Sequence, residues 1–239
     1  MLYGRRVRRL RLLLGLLVLV LVTGGCDAVL EAGLPTSTDS TQADAATPGA
    51  RKALRLLAAL PAGARVSPSS LGYDRDAFGS AWADVDGNGC NQRDDVLLRD
   101  AVPGSTTVAV QGSCDHDVLA GTWVDPYTGR RLTFDDLKDP GQAQAIQIDH
   151  VVPLAEAWTS GAVDWSDERR RRYANDLGVL LASDGPTNAA KSDDDPAAWR
   201  PRQAYQCRYA RQWVAVKSAW DLSVDDSERR ALEEMLAAC

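Results

Sequence analysis

The 239-residue chain has only two histidines, so any imidazole chemistry is confined to two positions. No two of its five cysteines stand at the short spacing that zinc clusters use, which argues against a zinc-finger-like module. The apolar run from Leu12 to Val22 falls well short of the ~20 residues that a membrane-spanning helix needs. Basic residues are outnumbered, 27 Lys and Arg against 33 Asp and Glu, where nucleic-acid binders are usually basic. There is no internal repeat. What remains, 45% hydrophobic and 25% charged, is globular composition sufficient for one domain with a core.

The amino terminus is distinct. Arg5, Arg6, Arg8, Arg9 and Arg11 precede the apolar run, and small residues follow it, as in an export signal. An uncleaved membrane anchor is the competing reading. The segment closes on "LVTGGC", which resembles a bacterial lipobox: Gly24 and Gly25 fit, whereas Thr23 stands where Leu is more usual. This implies a signal over residues 1–26, with Cys26 lipidated and attaching the chain to a membrane. Plain secretion is the alternative, and both put the mature protein outside the cytoplasm. Cys90, Cys114, Cys207 and Cys239 then remain, an even number that suggests disulfides. Three pairings exist; Cys90–Cys114 and Cys207–Cys239 are preferred because each is local to one half of the domain.

Residues 27–50 are rich in Ala, Thr, Ser, Asp and Pro and contain no aromatic, so they read as a disordered tether. The folded domain is expected over 51–239. Its pattern is mixed α+β. Helices are expected at "ARKALRLLAAL", "QRDDVLLRDA", "SDERRRRYAND" (Ser166 as N-cap) and "GPTNAAK" (Pro186 in the first turn), with two more closing the chain, the last opened by Ser223. Strands are expected at "TTVAV", on both sides of the Pro126–Gly129 turn, at "AIQIDHVVP" and at "GVLLA".

Without the five signal arginines the balance is 22 basic against 33 acidic residues, a net charge of −11. The distribution is uneven. Pro196 to Trp220 carries Arg200, Arg202, Arg208, Arg211 and Lys217, no acid, and interleaved aromatics. This suits a phosphate-bearing strand, with Arg208 and Arg211 as candidate contacts; an amphipathic helix packing its aromatics inward is the plain alternative.

Asp149 and His150 sit together in an apolar strand pattern, "IQIDHVVPL". Adjacent strand residues point to opposite faces, so a shared site requires the strand to bulge or end there. Otherwise this is a buried histidine with an outward aspartate. Downstream come a strand, a turn and a helix that offers Asn188 and Lys191. Strand, strand and helix with Asp-His on the first strand and Asn on the helix resemble the HNH endonuclease site. More narrowly, "YDRDAFGSAWADVDGNGCNQRDDVLLRD", "GTWVDPYTG", "IDHVVPLAEAW" and "PTNAAKSDDDPAAW" resemble exported HNH-type nuclease-like proteins of actinobacteria, from about Tyr73 to the final cysteine.

That resemblance implies an α+β fold in which a ββα-metal (HNH, His-Me finger) core is embedded in additional helices and short strands. It also implies an endonuclease that hydrolyses phosphodiester bonds of DNA, with RNA as a further substrate. His150 takes the general-base role, being largely neutral near pH 7 with an ordinary pKa of ~6.5. Asp149 and Asn188 supply hard oxygen ligands for Mg²⁺, with Mn²⁺ or Ca²⁺ as alternatives. Lys191, on the helix face of Asn188, is expected to hold a phosphate oxygen, and Arg93 is a candidate phosphate contact. Asn175 is the candidate for the middle Asn that fixes the loop; in many relatives that Asn lies inside the second strand, where this chain has Val179.

A second motif is independent of this site. In "DVDGNGCNQRDD", Asp84, Asp86 and Asn88 alternate, Gly89 follows and Asp95 closes, which matches most of an EF-hand-like calcium loop. An ordinary Asp/Asn/Gly turn is the plain alternative. Arg169 to Arg172 read as a solvated helix face paired with Asp167 and Glu168. Two functional classes follow: a metal-dependent extracytoplasmic nuclease, or a non-catalytic calcium-stabilised surface module with a decayed nuclease site.

Overall fold

The computed structural model describes residues 47–239. The export segment, Cys26 and most of the expected tether lie outside the described residues. The first helix, α1 (Pro48–Ala59), starts three residues before the expected domain boundary. Pro48 pre-sets its first turn and Thr47 caps it, accepting from the amide of Ala50. Ala50, Ala53 and Leu57 form its buried stripe.

After short 3₁₀ turns at Pro68–Leu71 and Arg75–Phe78 comes α2 (Gln92–Asp100). An antiparallel sheet follows: β1 (Thr107–Gln111), β2 (Cys114–Val124) and β3 (Arg131–Phe134), in that order. The β2–β3 turn is built as expected. Asp125 accepts from the amide of Thr128, and Gly129 takes φ +77°, where a side chain would also meet the Arg202 guanidinium.

The next unit is α3 (Pro140–Ala145), β4 (Ile146–His150), α4 (Leu154–Thr159), α5 (Asp167–Ala174), β5 (Leu180–Asp184) and α6 (Gly185–Lys191). β4 and β5 pair antiparallel without a bulge, Ile146 opposite Asp184 and His150 opposite Leu180. Ser166 caps α5 as expected. The solvated face expected there is interrupted. Arg170 turns inward and donates to the carbonyls of Ala77, Ala162 and Trp165, supplying donors to a buried carbonyl cluster.

Two long helices close the chain, α7 (Gln203–Ala219) and α8 (Asp226–Ala237). α8 is capped by Asp225, which accepts from the amides of Ser227 and Glu228. Ser223, the expected cap, instead donates to the carbonyl of Ser160. On α7, Tyr205, Tyr209 and Trp213 face the core, so its aromatics serve packing. Lys217 belongs with them. It is fully buried, and its ammonium donates to Glu156 at 2.7 Å and Glu228 at 2.6 Å, tying α7 to α4 and α8. Both disulfides are present, Cys90–Cys114 and Cys207–Cys239, with Cα separations of 4.4 and 5.4 Å. No helix among the described residues is long and apolar enough to cross a membrane.

Candidate active site

The site is assembled on β4, β5 and α6. β4 ends at His150, and Pro153 starts α4 three residues later, so no bulge is needed to bring Asp149 and His150 to one cavity. α6 follows β5 directly because Asp184 caps it, accepting from the amide and hydroxyl of Thr187. This places Asn188 on the wall of the same cavity. The space measures about 420 Å³ and is walled by Tyr73, Arg75, Asp149, His150 and Asn188 among others.

His150 is held in one tautomer. Its Nε2 lies 2.9 Å from the carbonyl oxygen of Ala174, which only accepts, so Nε2 carries the proton. Nδ1 keeps its lone pair and has no partner among the described residues. Burial pushes the imidazole pKa down to about 3, opposed by the Ala174 bond and reinforced by Arg75 and Lys191. The ring is therefore neutral well below its ordinary range.

Asn175, fully buried at the end of α5, sits next to Ala174. Its Oδ1 accepts from the amide of Ala83 and its Nδ2 donates to the carbonyl of Arg171, each at 2.9 Å. Both bonds anchor the segment that presents the Ala174 carbonyl to His150. Val179, in the position expected to carry Asn, is core and accepts through its carbonyl from Val151.

Asp149 is gripped from two sides. The ammonium of Lys191 donates to its Oδ1 at 2.9 Å, and the hydroxyl of Tyr127 donates to Oδ2. Burial pushes this carboxyl above the usual aspartate range, and Lys191 and Tyr127 pull it back. Each oxygen retains a second lone pair. Asn188 donates through Nδ2 to Gln147 Oε1 at 2.9 Å, which fixes the carboxamide and leaves Oδ1 without a partner among the described residues.

Two expected phosphate contacts are engaged elsewhere. Lys191 is fully buried, with its ammonium on Asp149 and on the carbonyl of His150 at 2.9 Å. Its helix spacing from Asn188 is as expected, but the side chain is directed inward by those acceptors. Arg93 donates to the carbonyls of Ala143 and Ile146 at 3.0 and 3.1 Å, bracing the start of β4. Of the basic run, Arg200 pairs with Glu234, Arg202 reaches the carbonyl of Pro126 and Lys217 is buried. Arg208 and Arg211 stay exposed and line a separate open cavity of about 760 Å³ with Lys52 and Tyr205.

Tyr127 and Arg75 were not singled out from the sequence, although both lie in segments that carry the family resemblance. Tyr127 comes from the β2–β3 turn and Arg75 from a 3₁₀ turn, and only the fold brings them to β4.

The model of the C-terminal domain of GmrSD restriction endonucleases matches residues 93–235. An uncharacterised secreted protein of Arthroderma benhamiae is 43% identical over 171 residues, which cover 70% of this chain and 76% of that protein. No solved structure matches.

Proposed function

The chain belongs to the family of the C-terminal domain of GmrSD restriction endonucleases, and from that premise we propose that it is a metal-dependent endonuclease acting on DNA outside the cytoplasm. RNA is a second substrate to assay. The observation that carries the reading is the His150 imidazole: neutral, locked in one tautomer, with Nδ1 unpartnered among the described residues and beside hard oxygen donors. An unprotonated ring nitrogen with an open lone pair is what a general base must offer.

The donor set fits an oxygen-loving divalent ion. Asp149 and Asn188 would hold it through a carboxylate and a carboxamide oxygen, with Mg²⁺ the first choice and Mn²⁺ or Ca²⁺ as alternatives. Such an ion, when bound, supplies Lewis-acid stabilisation of charge on the phosphate. The protein's own groups do the rest. His150 Nδ1 accepts a proton from the attacking water while Nε2–H stays on Ala174. Arg75, exposed on the cavity wall, takes the phosphate-holding role that Lys191 cannot, since Lys191 orients Asp149. Asn175 keeps the Ala174 carbonyl in position. Arg208 and Arg211 extend contact along the nucleic-acid backbone.

The two disulfides and the secreted relative support an extracytoplasmic site of action. Lipidation of Cys26 is the proposed attachment to the membrane.

The test is plasmid cleavage by the purified chain with and without EDTA. His150→Ala should bind DNA normally and lose ~10²–10⁴-fold in rate. Asn188→Ala should regain activity as metal concentration rises. A His150→Ala variant cleaving at the wild-type rate would overturn the assignment and favour the non-catalytic module.

A further inference from the structure

We infer that the loop Asp84–Asp95 is a calcium site, separate from the His150 cavity and independent of the nuclease reading. The loop presents oxygen donors at alternating positions: Asp84, Asp86 and Asn88 side chains, then the backbone at Cys90, then Asp95 in the first turns of α2. Gly89, where the loop turns sharply, has φ +91°, and a Cβ there would lie 2.6 Å from the carbonyl oxygen of Ser113. Only glycine fits. The Cys90–Cys114 disulfide ties the next residue to β2.

A separate observation points to a ligand. Asp95 is nine-tenths buried, yet no donor among the described residues reaches its Oδ2. Its other oxygen accepts from Asn88 Nδ2 at 2.9 Å and from His116 Nε2 at 2.7 Å, so the carboxylate faces the loop. Gln92, also inside the loop span, is fully buried, and neither amide atom has a partner among the described residues. Buried polar atoms without partners are costly, and a cation with its water shell would satisfy an orphaned carboxylate oxygen.

The chemistry selects the ion class. Three carboxylates and carbonyl oxygens suit Ca²⁺. Cys90, Cys114 and His116 place two sulfurs and an imidazole within 4.8 Å of one another, but the sulfurs are bridged to each other and are not thiolates. A soft metal therefore lacks ligands there.

The site also has a mechanical consequence. α2, which the loop leads into, sends Arg93 to the start of β4, and Arg99 to the carbonyls of Leu177 and Leu180 at the start of β5. Calcium at the loop would stiffen the helix that braces both strands of the His150 cavity.

The experiment is calcium titration by calorimetry of the chelator-stripped chain, with thermal unfolding in Ca²⁺, Mg²⁺ and EDTA. Expected are one loop-bound Ca²⁺ per chain, with Kd on the order of 10⁻⁴–10⁻³ M as in extracellular modules. A Tm higher by several degrees in Ca²⁺ than in Mg²⁺ is also expected. Asp84→Asn/Asp86→Asn should weaken binding at least ~10-fold, and Asn188→Ala should leave it intact. Equal wild-type Tm in Ca²⁺ and EDTA would overturn the inference, even if the double variant fails to fold. So would loss of binding in Asn188→Ala alone, which would move the ion to the His150 cavity. Cleavage in Mg²⁺ is a separate readout, so failure here leaves the nuclease reading to its own test.

Discussion

The ammonium of Lys191 lies 2.9 Å from Oδ1 of Asp149, and both side chains are sealed from solvent, at 0% and 6% exposure. A lysine that sequence spacing assigns to phosphate is thus the internal counter-ion of the carboxylate beside the candidate base. Lys191→Met should lower unfolding free energy by about 3–5 kcal/mol, because it strands a buried carboxylate. Urea denaturation measures this. A loss of DNA affinity at unchanged stability would instead return Lys191 to a phosphate-binding role.

The pH dependence follows from His150. Its folded pKa, about 3, is depressed below the ordinary ~6.5. The unfolded chain therefore binds the extra proton first, so this group's contribution to stability is complete above pH ~6.5 and is lost as pH falls toward 3. The loss should reach a few kcal/mol, and His150→Gln should flatten that part of the stability profile. Cleavage, by contrast, should show no acid limb near pH 6.5, because the imidazole stays unprotonated. Single-turnover rates between about pH 5 and pH 8 test this, and a half-maximal rate near 6.5 would contradict it.

Arg208 and Arg211 are the exposed cations of α7 that have no carboxylate partner among the described residues. If they contact the DNA backbone, replacing both with alanine should weaken binding to all sequences alike. The slope of log K against log salt should drop by roughly 2. Fluorescence anisotropy at several salt concentrations gives the slope, and an unchanged one would confine α7 to packing.

The order strand, strand, helix was legible because β-branched runs end at Pro153 and Pro186 marks a helix start. Asn188 and His150 could be paired because that order, with Asp-His on the first strand and Asn on the helix, resembles the HNH endonuclease site. Lys191 was not legible in the same way: helix spacing gives its face but not the acceptors opposite it. Arg75 and Tyr127 reach the site from far along the chain, and nothing local marks such contacts. Arg93 reads as a phosphate contact and Arg170 as part of a solvated face, since sequence does not reveal which carbonyls lie within their reach. α4 escaped detection because six residues carry too little periodicity. The disulfide partners were accessible to reasoning, since locality favoured the pairing that is present.

The Lys217 knot carries a consequence for how this domain can diverge. One ammonium satisfies carboxylates from two other helices, so replacing Lys217 strands two carboxylates, whereas replacing either glutamate leaves the other paired. Lys217 is therefore the member least free to change, because both pairs depend on it. Loss of the lysine first is the step that costs folding most, so the order of replacements is constrained. Drift in the loops and at the substrate-facing surface is free of that constraint, which lets specificity change while the helical frame stays fixed.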